Sequence, residues 1–421
     1  MVRRRASWLI LLILWALVGC AHVPTISSLP DITLGESSFF PTLEGLTDSP
    51  IVGGNKVDIL LNGDQTFPLM LREIKKAKST VTFAQYLYKG GSLAHELAQS
   101  FAERCRAGVK VLILLDSQGS KDAPEEIPQT LRQAGCHLAY FRRVEAPQLL
   151  LPWELLRYNY RNHRRILVID GKVGFTGGYG ISDAWLGDGR TKDHWRDTNV
   201  RIEGPAVKYL QAAFSESWLE ATGRLIGGEG FFPRLEDRGK KWVQVVKSSP
   251  VGGSFQNYLL YLLSITSARK SILITNPYFI PDDRMIEALL DAAKRGVRVV
   301  ILVPEKIDFK ITYRASRKNY GELLQGGVKI FEYTPALLHA KTMVIDGVWA
   351  TVGSTNLDNR SFALNEELNV VFYDTSLAQS LKDTFEDDLK HAKRITYEEW
   401  ESRPLTEKFF EIFTWPLEDE L

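Results

Sequence analysis

The stretches "NHRRILVIDG" (162–171) and "LHAKTMVIDG" (338–347) decide how this chain folds. Each sets a basic residue two positions after a His, an Asp five beyond that, and then Gly. The two histidines lie 176 residues apart. "RILVIDG" and "KTMVIDG" are apolar, carry β-branched residues and end in a Gly turn, the pattern of a buried strand. Side chains at i and i+2 share one face of a strand. His163 with Arg165, and His339 with Lys341, therefore point one way and can meet one ligand. Asp170 and Asp346 close their strands just before the turn.

The surroundings of the two copies repeat as well. "VTFAQYLY" (81–88) reads as a strand and "LAHELAQSFAERCRAG" (93–108) as a helix ending at Gly108. "VKVLILLD" (109–116) reads as a buried strand. "SILITNPYF" (271–279), "MIEALLDAAKRG" (285–296) and "VRVVILVPE" (297–305) follow the same order. A short strand leads to each His motif, in "AGCHLAYF" (134–141) and "GGVKIFEY" (326–333). Another follows it, in "KVGFTGG" (172–178) and "VWATVGS" (348–354). An internal duplication of alternating strands and helices gives an α/β fold. We expect two pseudo-twofold-related α/β/α sandwich halves, each with a central mixed sheet flanked by helices. The halves are placed at residues 56–230 and 240–400.

The length of 421 residues agrees, being too long for one ordinary core. The N-terminus, "MVRRRASWLILLILWALVGC", has a basic start and an apolar run too short for a comfortable membrane span. It reads as a secretory signal over residues 1–19. Residues 20–55 are rich in Pro, Ser, Thr and Gly without an apolar period and read as a tether. Removing Arg3, Arg4 and Arg5 from 52 basic residues leaves 49 against 51 acidic. That balance argues against nucleic acid as a partner. Cys105 and Cys136 would be allowed a disulfide in an exported protein, and two buried free thiols are the alternative. No cysteine, histidine or carboxylate cluster suggests a metal site, and no cofactor is expected. His22, His95, His137, His194 and His391 lack a motif context and read as structural.

The paired His motifs resemble the HxKxxxxD signature of the phospholipase D superfamily, the first with Arg165 in place of Lys. "RNHRRILVIDGKVGFTGG", "WRDTNVRIEGPAV" and "GSTNLDNRSF…LNEELN" bring the chain closest to its bacterial cardiolipin synthase group. The resemblance covers roughly residues 55–421 and implies metal-free phosphodiester chemistry through a covalent phosphohistidine. His163, Arg165, His339 and Lys341 would then act directly, with Asp170 and Asp346 bracing. The family's first His, here His163, would attack phosphorus. Asp197 and Glu367, 34 and 28 residues beyond the His of their own halves, would orient the histidines. Ser354 and Asn356 would contact phosphate. The first half departs from this pattern at Gly180, where relatives often carry Asn.

The resemblance also covers the lipobox of bacterial lipoproteins, at Leu17-Val18-Gly19-Cys20. It implies an exported protein held by a lipidated Cys20, facing the periplasm at the outer membrane if the host has one. Two aromatic- and leucine-rich stretches suit a lipid surface. "APQLLLPWELLRYNYRN" (146–162) reads equally as an interfacial loop or a buried connection. "TEKFFEIFTW" (406–415) carries an apolar helical stripe within a C-terminal helix placed at 401–421. The expected substrate is a phospholipid such as phosphatidylglycerol, handled by a phosphatidyl transferase. Hydrolysis to phosphatidic acid, an exported nuclease and an inactive lipid-binding homologue are the alternatives.

Overall fold

Strands β1 (Ile51–Leu61) and β8 (Lys241–Ser248) lie antiparallel, side by side, at the centre of the molecule. Outward from β1, on its far side from β8, run β7 (Thr198–Glu203), β6 (Val173–Gly177), β5 (Ile166–Ile169), β2 (Thr80–Gln85), β3 (Lys110–Asp116) and β4 (His137–Phe141). Outward from β8 run β16 (Glu367–Tyr373), β14 (Trp349–Gly353), β13 (Thr342–Ile345), β9 (Ser271–Thr275), β11 (Arg298–Pro304) and β12 (Lys329–Tyr333). The order is the same on both sides, so a pseudo-twofold axis passes between β1 and β8. β17 (Ala392–Ile395) is added beyond β12. This is a computed structural model, and it describes residues 23–143, 159–307 and 310–404. Among them the two expected sheets are one sheet of 15 strands.

The join has a local cause. The β1–β8 register shifts between Val52 and Asn55. Asn55, fully buried, fills that bulge by donating through Nδ2 to the carbonyls of Val52 (2.8 Å), Gly53 (3.1 Å) and Lys241 (3.2 Å). Its Oδ1 accepts from the Ala206 amide at 2.8 Å. One side chain thus satisfies the backbone groups that a bulge leaves unpaired.

The apolar runs read from sequence are the most deeply placed strands. β3 and β11 are buried at every residue but the first. They run parallel to β2 and β9, and helices cover both faces, which is why these runs do not alternate polar and apolar. On one face the helices Val207–Thr222 and Thr375–Leu389 close a core shared by both halves. On the other face each half keeps its own core.

Where a tether is expected over residues 20–55, the described part is packed. Val23, Ile26, Leu29, Ile32 and Leu34 lie against the core of the second half. Asp31 meets Arg269 at 3.4 Å. A helix, Phe39–Thr47, buries Phe39 and Leu43, and β1 already begins at Ile51. The first part of this segment carries no helix or strand, so it shows no apolar period. Cys20, the signal, residues 144–158, which include most of the leucine-rich stretch, and residues 405–421 lie outside the described residues. Among the described residues no helix is long and apolar enough to cross a membrane.

Cys105, at the end of the helix Ser92–Arg106, is disulfide-bonded to Cys136 just before the edge strand β4. The bridge closes a loop with a sequence separation of 31. Loop-closure entropy for that length is worth about 3–4 kcal/mol. The Cys105→Ser, Cys136→Ser double variant should lose roughly that much in denaturant unfolding. Reductant should then lower the stability of the wild type and leave the variant unchanged.

Candidate active site

The two His strands reach the centre of the molecule by pairing with the opposite half. The His163 amide donates to the Glu366 carbonyl (2.9 Å), and the Glu366 amide donates to the Arg161 carbonyl (2.9 Å). On the other side the Arg196 amide donates to Leu337 (2.9 Å) and the His339 amide to Arg196 (2.7 Å). Each histidine is thereby laid beside the acidic residue of the other half. His163 Nδ1 meets Glu367 Oε1 at 2.7 Å, and His339 Nδ1 meets Asp197 Oδ2 at 3.0 Å. Counting along the sequence places each acid with the His of its own half; the fold exchanges them across the axis.

Alternation along the strand works as the sequence implies. Arg165 turns to the same side as His163, with Nη2 at 2.8 Å from Nε2. Lys341 Nζ lies 3.0 Å from both ring nitrogens of His339. Arg164, between them in sequence, points the other way and donates to the Ala213 and Ser248 carbonyls at 3.2 and 2.9 Å. His163, Arg165, His339 and Lys341 are all buried.

Charge and burial set the protonation. Burial, reinforced by the charges of Arg165, Lys341 and Arg360, holds His163 well below the usual imidazole value. Burial and Lys341 lower His339 to about 3. Each histidine feels the cation of the other half, so the two motifs share one pocket. Both imidazoles are neutral at pH 7, the form that carries a free lone pair. The carboxylates differ. Burial raises Asp197, but the bond to His339, the charge of Lys341 and the Trp185 N–H outweigh it and hold it low. Burial lifts Glu367 to about 7 against the opposing bonds from Ser354 and Ser361 and the charges of Arg165 and Lys341.

Ser354 and Asn356 stand at the pocket in different ways. Ser354 Oγ donates to Glu367 Oε2 and accepts from the Leu368 amide at 3.0 Å. Its hydroxyl therefore serves the carboxylate. Asn356 Oδ1 is buried and makes no hydrogen bond among the described residues, as does Arg165 Nε. Both are polar atoms that a ligand can satisfy.

Asp170 and Asp346 are elsewhere. Seven residues of extended chain, at about 3.3 Å each, carry them some 23 Å from the histidines. Both sit at positive φ, 52° and 54°. Asp170 Oδ1 accepts from the Ser79 and Thr80 amides at 2.7 and 3.0 Å. Asp346 Oδ1 accepts from Lys270 and Ser271 at 2.7 and 2.8 Å. They cap the starts of β2 and β9 and touch neither histidine, so the bracing expected of them acts on the sheet and not in the pocket.

Sequence reading missed the aromatic lining. Tyr86 stands edge-on to His163 with ring centroids 5.0 Å apart. Burial pushes its phenol up to about 12, so it remains a donor. Trp185, Trp195 and Tyr278 surround His339 at 5.1, 5.5 and 6.4 Å. Tyr86 and Tyr278 follow β2 and β9, strands that the repeat already marks, so comparison of the two halves was the available signal for those two. His95, whose ring bonds the Gly91 carbonyl and Glu126, is exposed and apart from the pocket.

Two imidazoles facing across a pseudo-twofold axis, each backed by a carboxylate and a cation, define a protein that works on phosphodiesters. The comparisons name the family. A family model described as "Cardiolipin synthase, PLD-like domain" matches residues 70–218 and 261–389. The chain is 37% identical over 353 residues to the major cardiolipin synthase ClsA of Bacillus subtilis, covering 83% of this chain and 72% of that protein. It is 38% identical over 357 residues to a cardiolipin synthase of Geobacillus kaustophilus, covering 84% and 70%. Among solved structures it shares its fold with phosphatidylserine synthase of Haemophilus influenzae, with TM-score 0.65 and 13% identity. That likeness covers 91% of this chain and 100% of the other. The chain belongs to the cardiolipin synthase family of the phospholipase D superfamily and is a phosphatidyltransferase or phosphodiesterase of that kind.

Of the two neighbouring carboxyls that burial lifts to about 7, Glu367 and Asp358, Glu367 is the one that meets a histidine. Below pH 7 it takes a proton and can no longer accept from His163 Nδ1 as a carboxylate. Activity should fall on the acid side with a midpoint near 7. Glu367→Gln should lower the rate at every pH and abolish that midpoint, which a pH–rate profile of both proteins will show.

Proposed function

We propose that this protein moves a phosphatidyl group from one phosphatidylglycerol to the glycerol end of another, forming cardiolipin and releasing glycerol. The observation that carries the reading is the crossed pair of His–carboxylate contacts around two cations in one buried pocket. The lone pair of one imidazole, His163 by family resemblance, forms a bond to phosphorus as the bond from phosphorus to the leaving glycerol oxygen breaks. The other imidazole, which takes up a proton from solvent as the anion arrives, gives that oxygen its proton. It then takes a proton from the incoming hydroxyl, whose oxygen bonds to phosphorus as the N–P bond breaks. Arg165 and Lys341 neutralise charge on the non-bridging oxygens throughout. Water in place of the second lipid would give phosphatidic acid.

Export and anchoring belong to the same proposal. The bond between Cys105 and Cys136 supports folding in an oxidising compartment. The apolar N-terminal run ending at Cys20 supports lipid attachment to a membrane.

The test is to incubate the full chain with phosphatidylglycerol vesicles and resolve the products. Cardiolipin with equimolar glycerol is expected, and it should vanish in His163→Ala and His339→Ala. Phosphatidic acid as the main product would make the enzyme a hydrolase instead. A rapid denaturing quench at alkaline pH, which spares the acid-labile N–P bond, should trap phosphohistidine in the wild type and not in His163→Ala. Arg165→Lys should keep most activity, whereas Arg165→Gln should lose about 100-fold or more, the scale of removing one group that stabilises transition-state charge.

A further inference from the structure

The internal repeat lets the two walls of the pocket be compared position by position. β6 meets β7 at Gly177 and Asn199, as β14 meets β16 at Gly353 and Asn369. Gly178 therefore stands where the second half has Ser354, Gly180 where it has Asn356, and Asp197 where it has Glu367. Tyr88 bridges Ile181 as Phe279 pairs with Leu357, which sets Trp185 opposite Ser361.

In the second half three small side chains share the work. The hydroxyls of Ser354 and Ser361 donate to Glu367, the latter at 2.9 Å, and Asn356 supplies a carboxamide. In the first half one large residue, Trp185, fills the space beside Gly180. Trp185 Nε1–H donates to Asp197 Oδ2 at 2.8 Å, the oxygen that also meets His339. Its ring stands edge-on to His339, with an interplanar angle of 85°. Trp195 backs it at 4.1 Å, and Trp185 is 3% exposed. A Cβ on Gly180 would lie 2.8 Å from the Trp185 ring, and one on Gly178 would lie 2.2 Å from Asp197 Oδ1. The glycines at 178 and 180 are what this carboxylate and this indole require.

We propose that Trp185 is a positioning residue for His339, holding Asp197 in the orientation that fixes the His339 ring and standing in for the donors the second half supplies through serines. The proposal rests on the reading that His339 takes part in the transfer. Its indole N–H keeps Oδ2 aimed at Nδ1, while the Thr198 amide holds Oδ1 at 2.8 Å. Removing the N–H leaves Asp197 more basic, so the His339–Asp197 pair takes up a proton at higher pH.

The experiment compares Trp185→Phe, which keeps a ring but no donor, with Trp185→Tyr, which restores a donor. Four quantities are read: kcat and KM with phosphatidylglycerol vesicles, the melting temperature, and the 15N signals of labelled histidines across pH in the full chain. Trp185→Phe should lower kcat about 10–100-fold, the usual loss when a group that orients a histidine is removed. KM should stay within about twofold on the same argument that uniform binding is untouched. The His339 signal should move and titrate at higher pH, and the His163 signal should not move. Trp185→Tyr should recover part of kcat. The proposal is overturned if Trp185→Phe matches the wild type, or if it loses activity only in step with melting temperature, with the His339 signal and its titration unmoved. If the wild type makes no transfer product yet the His339 signal still moves in Trp185→Phe, the transfer reading fails and the positioning role stands.

Discussion

The site depends on two short backbone contacts that cross the pseudo-twofold axis. Asn162 bridges Glu366, and Arg196 bridges Leu338. They set each histidine beside the acid of the opposite half, so neither repeat contains a working His–carboxylate pair. The continuous sheet makes those contacts rigid. β1 and β8 lock the halves at one place through Asn55, and the shared core under the helices Val207–Thr222 and Thr375–Leu389 locks them at another. A duplicated chain with separate sheets would have to position four reacting groups through a loose interface. Errors of about 1 Å at such a site cost roughly 100-fold in rate.

The buried charges explain why the pocket favours an anion. Placing Arg165 and Lys341 out of water costs several kcal/mol per ion unless partners compensate. Asp197 is held ionised and compensates fully, whereas Glu367 titrates near 7 and does so in part. The pocket is thus slightly positive around two neutral imidazoles. Under the proposed function, a phosphodiester would bring the balancing negative charge and raise the proton affinity of the histidine proposed as the acid. Arg in the first motif and Lys in the second sit in unequal surroundings: Tyr86 beside His163, and an indole pair beside His339. The two substitutions therefore belong to one asymmetric design of the walls.

Much of this was legible in the residues. The repeated order of strands, the Gly turns and the i, i+2 spacing of His163–Arg165 and His339–Lys341 depend on local periodicity, and the structure follows them. The pairing of Asp197 and Glu367 was not legible, because the contact that decides it joins residues 142 and 204 positions apart. Trp185 was hidden for another reason: its counterpart Ser361 shares no chemical likeness with it, so similarity between the halves does not flag it. The segment 23–34 lacked a period because no helix or strand forms there to impose one. Asp170 and Asp346 belong to the motif by sequence, yet their positive φ and three-amide caps place them at the far end of the sheet.

The exchange of acids between halves is the central claim, and the 15N signals of labelled histidines test it most directly. Glu367→Gln should move the Nδ1 signal of His163 and leave that of His339 in place. Asp197→Asn should do the reverse. If each substitution instead moves the histidine of its own half, 34 or 28 residues away in sequence, the crossed site is wrong.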